Sequence, residues 1–248
     1  FMTNSSQTNI PFSVTSFGIT DVGKARKHNE DSILDRGEIG LWVVADGMGG
    51  HAKGDVASQM IVESMKKVHE GVKLESYIDD IEERLIKVNE KLVAKAREAE
   101  KKTTIGSTVV LMLAYEKYCV YAWAGDSRLY RLRDKELRQM TTDHSQVEVY
   151  VEQGLISREE AAVHPHGNMI TRAVGAAEVL HLDMDIQEMR SGDRYLLCSD
   201  GLTKHTNDLE FQDMLQTGTP EECCKEMIEL TLERGAGDNV TVIIIDVD

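Results

Sequence analysis

The sequence predicts an α+β sandwich. Strand-like runs follow one another across hairpin-sized gaps, helical stripes come in neighbouring pairs, and strand and helix do not alternate as a series of βαβ units would. At 248 residues the chain can build one large core, and 41% apolar content with only three scattered prolines is typical of a folded globular protein. One domain over residues 13–248 is expected after a loose tail, 1–12, where Phe1 ahead of Met2 suggests an added residue before the natural start.

Taken in order, strands are expected over residues 14–20, 41–45, 107–113, 118–124, 129–133, 180–188, 194–198 and 240–246, all rich in branched and aromatic side chains. In the sixth of these, Leu180, Leu182, Met184 and Ile186 alternate with polar residues, the pattern of a half-buried antiparallel strand. A first helix is expected over about 55–68, with Ala57, Met60, Ile61, Ser64 and Val68 inward. From Tyr77 a longer one carries Ile78, Ile81, Leu85, Val88 and Leu92 at steps of three and four. Short helices are expected over 146–153 and 157–163. Thr219-Pro220-Glu221-Glu222 supplies an N-cap, a first-turn proline and a capping glutamate for a helix reaching about Glu233.

Composition excludes several function classes. No apolar run approaches the roughly 18 residues that span a bilayer, and residues 1–7 lack the shape of a signal peptide. An unexported, cytoplasmic protein is expected. The four cysteines, Cys119, Cys198, Cys223 and Cys224, lack metal-ligand spacing and read as buried thiols in a reducing compartment. A formal charge of −15 argues against nucleic acid and against an anionic membrane surface, since both are held by clustered Lys and Arg.

The carboxylates carry the chemistry. The run 41–45 leads into Asp46-Gly47, 118–124 into Gly125-Asp126, 194–198 into Ser199-Asp200-Gly201, and Gly237-Asp238-Asn239 leads into the strand beginning at Val240. Aspartates at four strand ends, each beside a glycine that permits close approach, can meet on one rim of a sheet. Any one such pair is more often a plain turn. Four together would repel unless a cation neutralised them or their pKa values rose. Because the donors are all oxygens, hard Mg2+ or Mn2+ is favoured over zinc, with calcium behind them.

Arg26-Lys27-His28-Asn29-Glu30-Asp31, Asp46-Gly47-Met48-Gly49-Gly50-His51, Gly125-Asp126-Ser127-Arg128, Thr142-Asp143-His144-Ser145, Thr171-Arg172-Ala173-Val174-Gly175, Ser199-Asp200-Gly201 and Gly237-Asp238-Asn239 resemble, in that order, the motifs of the metal-dependent protein phosphatases of the 2C type, in their bacterial form. The resemblance implies a four-layer α-β-β-α sandwich, two antiparallel sheets flanked by helix pairs, with a metal centre in a cleft at one end. It implies that Asp46 bridges two Mn2+ or Mg2+ ions, that the Gly47 carbonyl completes one of them, and that Asp200 and Asp238 bind the other. Asp126, with Asp200, matches a third, weaker ion site, and Glu30 a residue that holds a metal-bound water. Residues 145–168 would form a flap beside the site.

Such a pair of ions lowers the pKa of water from about 16 towards neutrality, so that water can attack phosphorus directly. Arg26 is the candidate clamp on two phosphoryl oxygens, and His51 the candidate acid for the leaving serine or threonine oxygen. The expected substrates are phosphorylated proteins, in opposition to a serine/threonine kinase, and the expected state is a monomer. Two other readings share the residues: a phosphatase of small esters, and an inactive binding relative.

Overall fold

The computed structural model describes residues 10–49, 53–70, 73–99, 103–167 and 169–248. Alternation along its apolar strands sorts the side chains into three core layers. In β3 (Leu41–Met48), Leu41, Val43 and Ala45 face one layer while Trp42 and Val44 face the next. The strand is buried on both faces, which is why it reads as an unbroken apolar run. Ile243 and Ile245 of β11 (Val240–Val247) meet the middle layer, and Val242 and Ile244 face a third.

Both sheets are antiparallel. The first runs β1-β11-β10-β7-β8, with β1 Val14–Asp21, β7 Arg128–Arg133, β8 Glu136–Gln139 and β10 Arg194–Cys198. The second runs β2-β3-β5-β6-β9, with β2 Asp31–Arg36, β5 Val109–Tyr115, β6 Tyr118–Ala124 and β9 Asp183–Glu188, while the short β4 (Gly106–Ser107) pairs with the end of β3. Helices α1 (Gly54–Met65) and α2 (Leu74–Glu98) cover the second sheet. The first is covered by α5 (Asp200–Thr203), α6 (Asp208–Met214) and α7 (Pro220–Glu233). This is the expected four-layer α-β-β-α order.

Helix α7 begins as its sequence dictates, with Thr219 as N-cap in a capping box with Glu222 and Pro220 in the first turn. Several boundaries differ from expectation. α1 stops at Met65 rather than near residue 68, and Ser58 and Val62 are buried where Met60 and Ser64 were expected. In α2 Tyr77 holds the inward place, its hydroxyl donating to the Ile39 carbonyl at 3.0 Å, and Ile78 is only partly buried. β9 starts at Asp183, so Leu180 and Leu182 precede the strand while still packing on the core.

Two edge strands, β2 and β8, were not expected. Asp-Ser-Ile-Leu-Asp-Arg of β2 has two apolar residues, too few for a strand pattern. β8 follows a two-residue turn in which Asp134 and Lys135 have φ of 52° and 67°, so the turn lacks the Asn-Gly signature of its geometry. The short α5 and α6 were also unforeseen. The segment between Ser145 and Ile170, which are joined by an isolated bridge, carries α3 (Gln146–Glu152) and α4 (Arg158–Ala162), capped by Ser145 and Ser157.

Candidate metal centre

Register places the first two carboxylates. β2 and β3 pair so that Asp31 lies opposite Asp46. Thr108 fixes the end of β3 from the other side: its N–H donates to the Asp46 carbonyl (2.8 Å), and its hydroxyl accepts from the Asp46 N–H (3.1 Å) and bonds the Ser127 hydroxyl (2.7 Å). Asp126 is thereby drawn towards the same end of the sandwich.

The other sheet contributes Asp200 and Asp238. Asp200 follows β10 and opens α5, and Asp238 lies two residues before the start of β11. Gly201 allows the approach, because a Cβ there would stand 1.9 Å from the Asn239 carbonyl oxygen. Asn239 ties the preceding loop down: its Nδ2 donates to the Val22 and His28 carbonyls (both 2.9 Å), and its Oδ1 accepts from the Glu30 N–H (2.9 Å). That loop holds Arg26, whose guanidinium is on Asp238 at 3.0 and 3.1 Å.

Glu30 and Gly47 meet at the start of α1. A Cβ on Gly54 would lie 2.8 Å from both the Glu30 carboxyl carbon and the Gly47 carbonyl oxygen, so glycine leaves these two oxygen donors adjacent. The structure therefore brings Glu30, Asp46, Gly47, Asp126, Asp200, Asp238 and Arg26 to one end of the sandwich. His51 lies outside the described residues.

Electrostatics tie the carboxylates together. Burial pushes Asp46 well above the ordinary carboxylate range, and Asp31, Asp200, Asp126 and Asp238 push it further. Asp126 rises to about 7 through burial, then Asp200 and Asp143. Asp31 rises to about 6, burial outweighing hydrogen bonds from the Thr241 (2.6 Å) and Ser199 (2.8 Å) hydroxyls. Asp31 Oδ1 and Asp200 Oδ1 are buried without a donor. Oxygen acceptors that lack donors, crowded by like charge, match the needs of a hard divalent cation.

Lys204 supplies part of the missing charge, its ammonium 2.6 Å from Asp200 and 3.2 Å from Asp238. Burial pulls its pKa down, but the two aspartates outweigh this and hold it at about 12. No three Asp, Glu, His or Cys side chains among the described residues form a closed ligand set as they stand. Asp31, Lys204 and Asn239 had no role assigned from sequence. The first needed the unforeseen β2, and the second needed α5, which sets it one turn after Asp200.

The Gly-Asp-Ser-Arg and Thr-Asp-His-Ser motifs also meet. Arg128 grips Asp143 through Nε (2.9 and 3.1 Å) and Nη2 (2.7 Å). This bidentate pair pins the two turns that flank Asp126.

An α-β-β-α sandwich with an acidic cluster at one end is the architecture of the metal-dependent protein phosphatases. Residues 24–234 match the family model described as Protein phosphatase 2C, and the chain belongs to that family. It is similar to the serine/threonine phosphatase Stp of Listeria monocytogenes, with 35% identity over 237 residues, 92% of this chain and 94% of the relative. It is 36% identical over 228 residues to the serine/threonine protein phosphatase PstP of Mycobacterium tuberculosis, covering 92% of this chain but 44% of PstP, so it spans less than half of that relative. The crystal structure of the PstP catalytic domain in complex with two manganese ions superposes with a TM-score of 0.84 at 35% identity, over 95% of this chain and 99% of that one. PppA of Pseudomonas aeruginosa, described as a regulatory component of T6SS, superposes with a TM-score of 0.86 at 39% identity, over 95% and 98%.

Proposed function

We propose that this chain is a metal-dependent serine/threonine protein phosphatase, hydrolysing phosphoserine and phosphothreonine with water as nucleophile. The observation that carries the reading is the crowding of Asp46 by Asp31, Asp200, Asp126 and Asp238, a concentration of buried negative charge that calls for cations. Similarity to PstP, whose catalytic domain is described with two manganese ions, supports Mn2+ or Mg2+ as those cations.

When bound, the ions supply the Lewis acidity that makes water nucleophilic near neutral pH and offset the charge of the phosphate. Asp46, the Gly47 carbonyl, Asp200 and Asp238 would hold two of them, and Asp126 with Asp200 a third, weaker one. Glu30, beside Gly47, would hold a water by hydrogen bonding. Arg26 is half-exposed on Asp238. Metal charge on Asp238 would free its guanidinium to take two phosphoryl oxygens and keep them through the transition state. His51 would give the proton to the leaving serine or threonine oxygen.

Phosphorylated proteins are the substrates in this reading, as the names of Stp and PstP support, and a serine/threonine kinase would be the opposing activity. The domain comprises residues 13–248 and acts as a monomer. No helix among the described residues is long and apolar enough to cross a membrane, consistent with a cytoplasmic place of action. The 145–168 segment adjusts substrate access, with Leu155 and Val163 exposed on it.

The test is hydrolysis of a phosphothreonine peptide by metal-stripped protein with Mn2+, Mg2+, Ca2+ or nothing added back. Activity restored by Mn2+ or Mg2+ and abolished by Asp46→Asn and Asp238→Asn is expected. Absence of activity with every metal would overturn the reading in favour of an inactive relative.

A further inference from the structure

Asp126 follows Gly125, whose φ of +119° and 2.6 Å clearance between a would-be Cβ and Thr108 admit only glycine. Ser127 and Arg128 anchor the turn on its far side, through Thr108 and Asp143, but Gly125 has no side chain to fix its near side. His144 takes hold of it at both of its backbone groups. The His144 N–H donates to the Gly125 carbonyl (2.9 Å), and the Gly125 N–H donates to His144 Nδ1 (3.1 Å).

An Nδ1 that accepts a backbone N–H leaves the ring proton on Nε2. Nε2 faces Asp183 Oδ2 at 3.1 Å, and Asp183 Oδ1 accepts in turn from Arg172 (2.6 Å). The ring lies nearly flat over Trp123, 5.9 Å between centroids with planes 12° apart, and only 7% of the residue is exposed. The stacking and the hydrogen bonds at both nitrogens hold the imidazole in one orientation. The His144 carbonyl accepts from the Thr171 N–H (2.7 Å), and the next residue, Ser145, bridges Ile170.

We infer that His144 is a positioning residue for the candidate cation site, holding the Gly125–Asp126 turn so that the Asp126 carboxylate stays aimed at Asp200, and joining that turn to the neck of the 145–170 excursion. The inference rests on the metal reading of Asp126. The buried Gly125 N–H needs an acceptor, and the His144 ring supplies it directly beside Asp126. Both ring nitrogens are committed, one to the turn beside Asp126 and the other to a carboxylate fixed by arginine.

The two nitrogens can be tested apart. Asn at position 144 can place Oδ1 near the position of Nδ1 and accept from Gly125, while losing Asp183. Gln can reach Asp183 with its Nε2 but offers Gly125 no acceptor. Calorimetric titration of the metal-stripped full chain with Mn2+ separates tight from weak binding. His144→Leu and His144→Gln are expected to weaken the weakest Mn2+ component about 10-fold, the scale of lost outer-shell support, while leaving the tight component within about twofold. His144→Asn is expected to restore the weak component to near the unsubstituted value.

Equal weak-site affinity in the Asn and Gln variants, or an unchanged weak site in the Gln variant, would overturn the inference even if His144→Leu fails to fold. A purely structural role would lower the unfolding temperature of both variants without separating their Mn2+ isotherms. Unsubstituted protein that binds Mn2+ with no weak component, or binds none, would overturn the metal reading of Asp126 and the inference with it.

Discussion

Strands β10 and β11 carry acidic residues at both ends, and the two ends treat them differently. Away from the metal centre Arg194 meets Asp246 through Nε (2.5 Å) and Nη2 (2.7 Å), and its remaining N–H groups reach the carbonyls of Leu215, Thr217 and Gly218. Asp193 takes both Nε and Nη2 of Arg133 at 2.6 Å and the Tyr195 hydroxyl at 3.2 Å. Each carboxylate there has its own guanidinium. At the other end Asp31, Asp46, Asp126, Asp200 and Asp238 crowd together, with Lys204 on Asp200 and Asp238 and Arg26 on Asp238, and two buried oxygens have no donor. One end of the sheet is internally balanced, while the other is balanced only when something positive comes in from solution. Sites kept for ligands are where a sequence departs from its own stability optimum.

Removing a carboxylate should therefore have opposite effects at the two ends. Asp246→Ala leaves the Arg194 charge half-buried against carbonyls alone and should destabilise the protein by about 3 kcal/mol in urea unfolding, with turnover per folded molecule unchanged. Asp126→Asn should stabilise the metal-free protein at pH 8 by about 1 kcal/mol, because it removes a buried charge whose pKa burial pushes up to about 7. The same substitution should weaken Mn2+ binding. If both substitutions destabilise the metal-free protein equally, the contrast between the ends is wrong.

Legibility followed the same divide between local and long-range causes. Strands buried on both faces, such as β3, β6 and β11, announce themselves as apolar runs, and α7 announces itself through Thr219, Pro220 and Glu222. Edge strands do not: β2 buries too little, and β8 depends on positive φ at Asp134 and Lys135, which neither residue type signals. At the site, the four aspartates beside glycines were legible because glycine marks the close approach. Asp31 stands within the first motif, yet its pairing with Asp46 lives in the register of β2, a strand its own residues do not signal. Lys204 and His144 matter only through what the fold sets beside them.

The central claim, that the acidic end is built to be completed by a divalent cation, has a direct thermodynamic signature. Asp31 and Asp126 have folded-state pKa values of about 6 and about 7, above the ordinary 3.8. The folded state thus retains protons that the unfolded chain has released, and this contribution to stability falls as pH rises from about 4 through 7. Thermal unfolding of metal-stripped protein between pH 5 and pH 8, with and without Mn2+, tests it. The account predicts an unfolding temperature that declines towards pH 8 without metal and a stabilisation by Mn2+ that grows over the same interval. Stability that rises steadily to pH 8 without metal, or that Mn2+ leaves unchanged at pH 8, would contradict it.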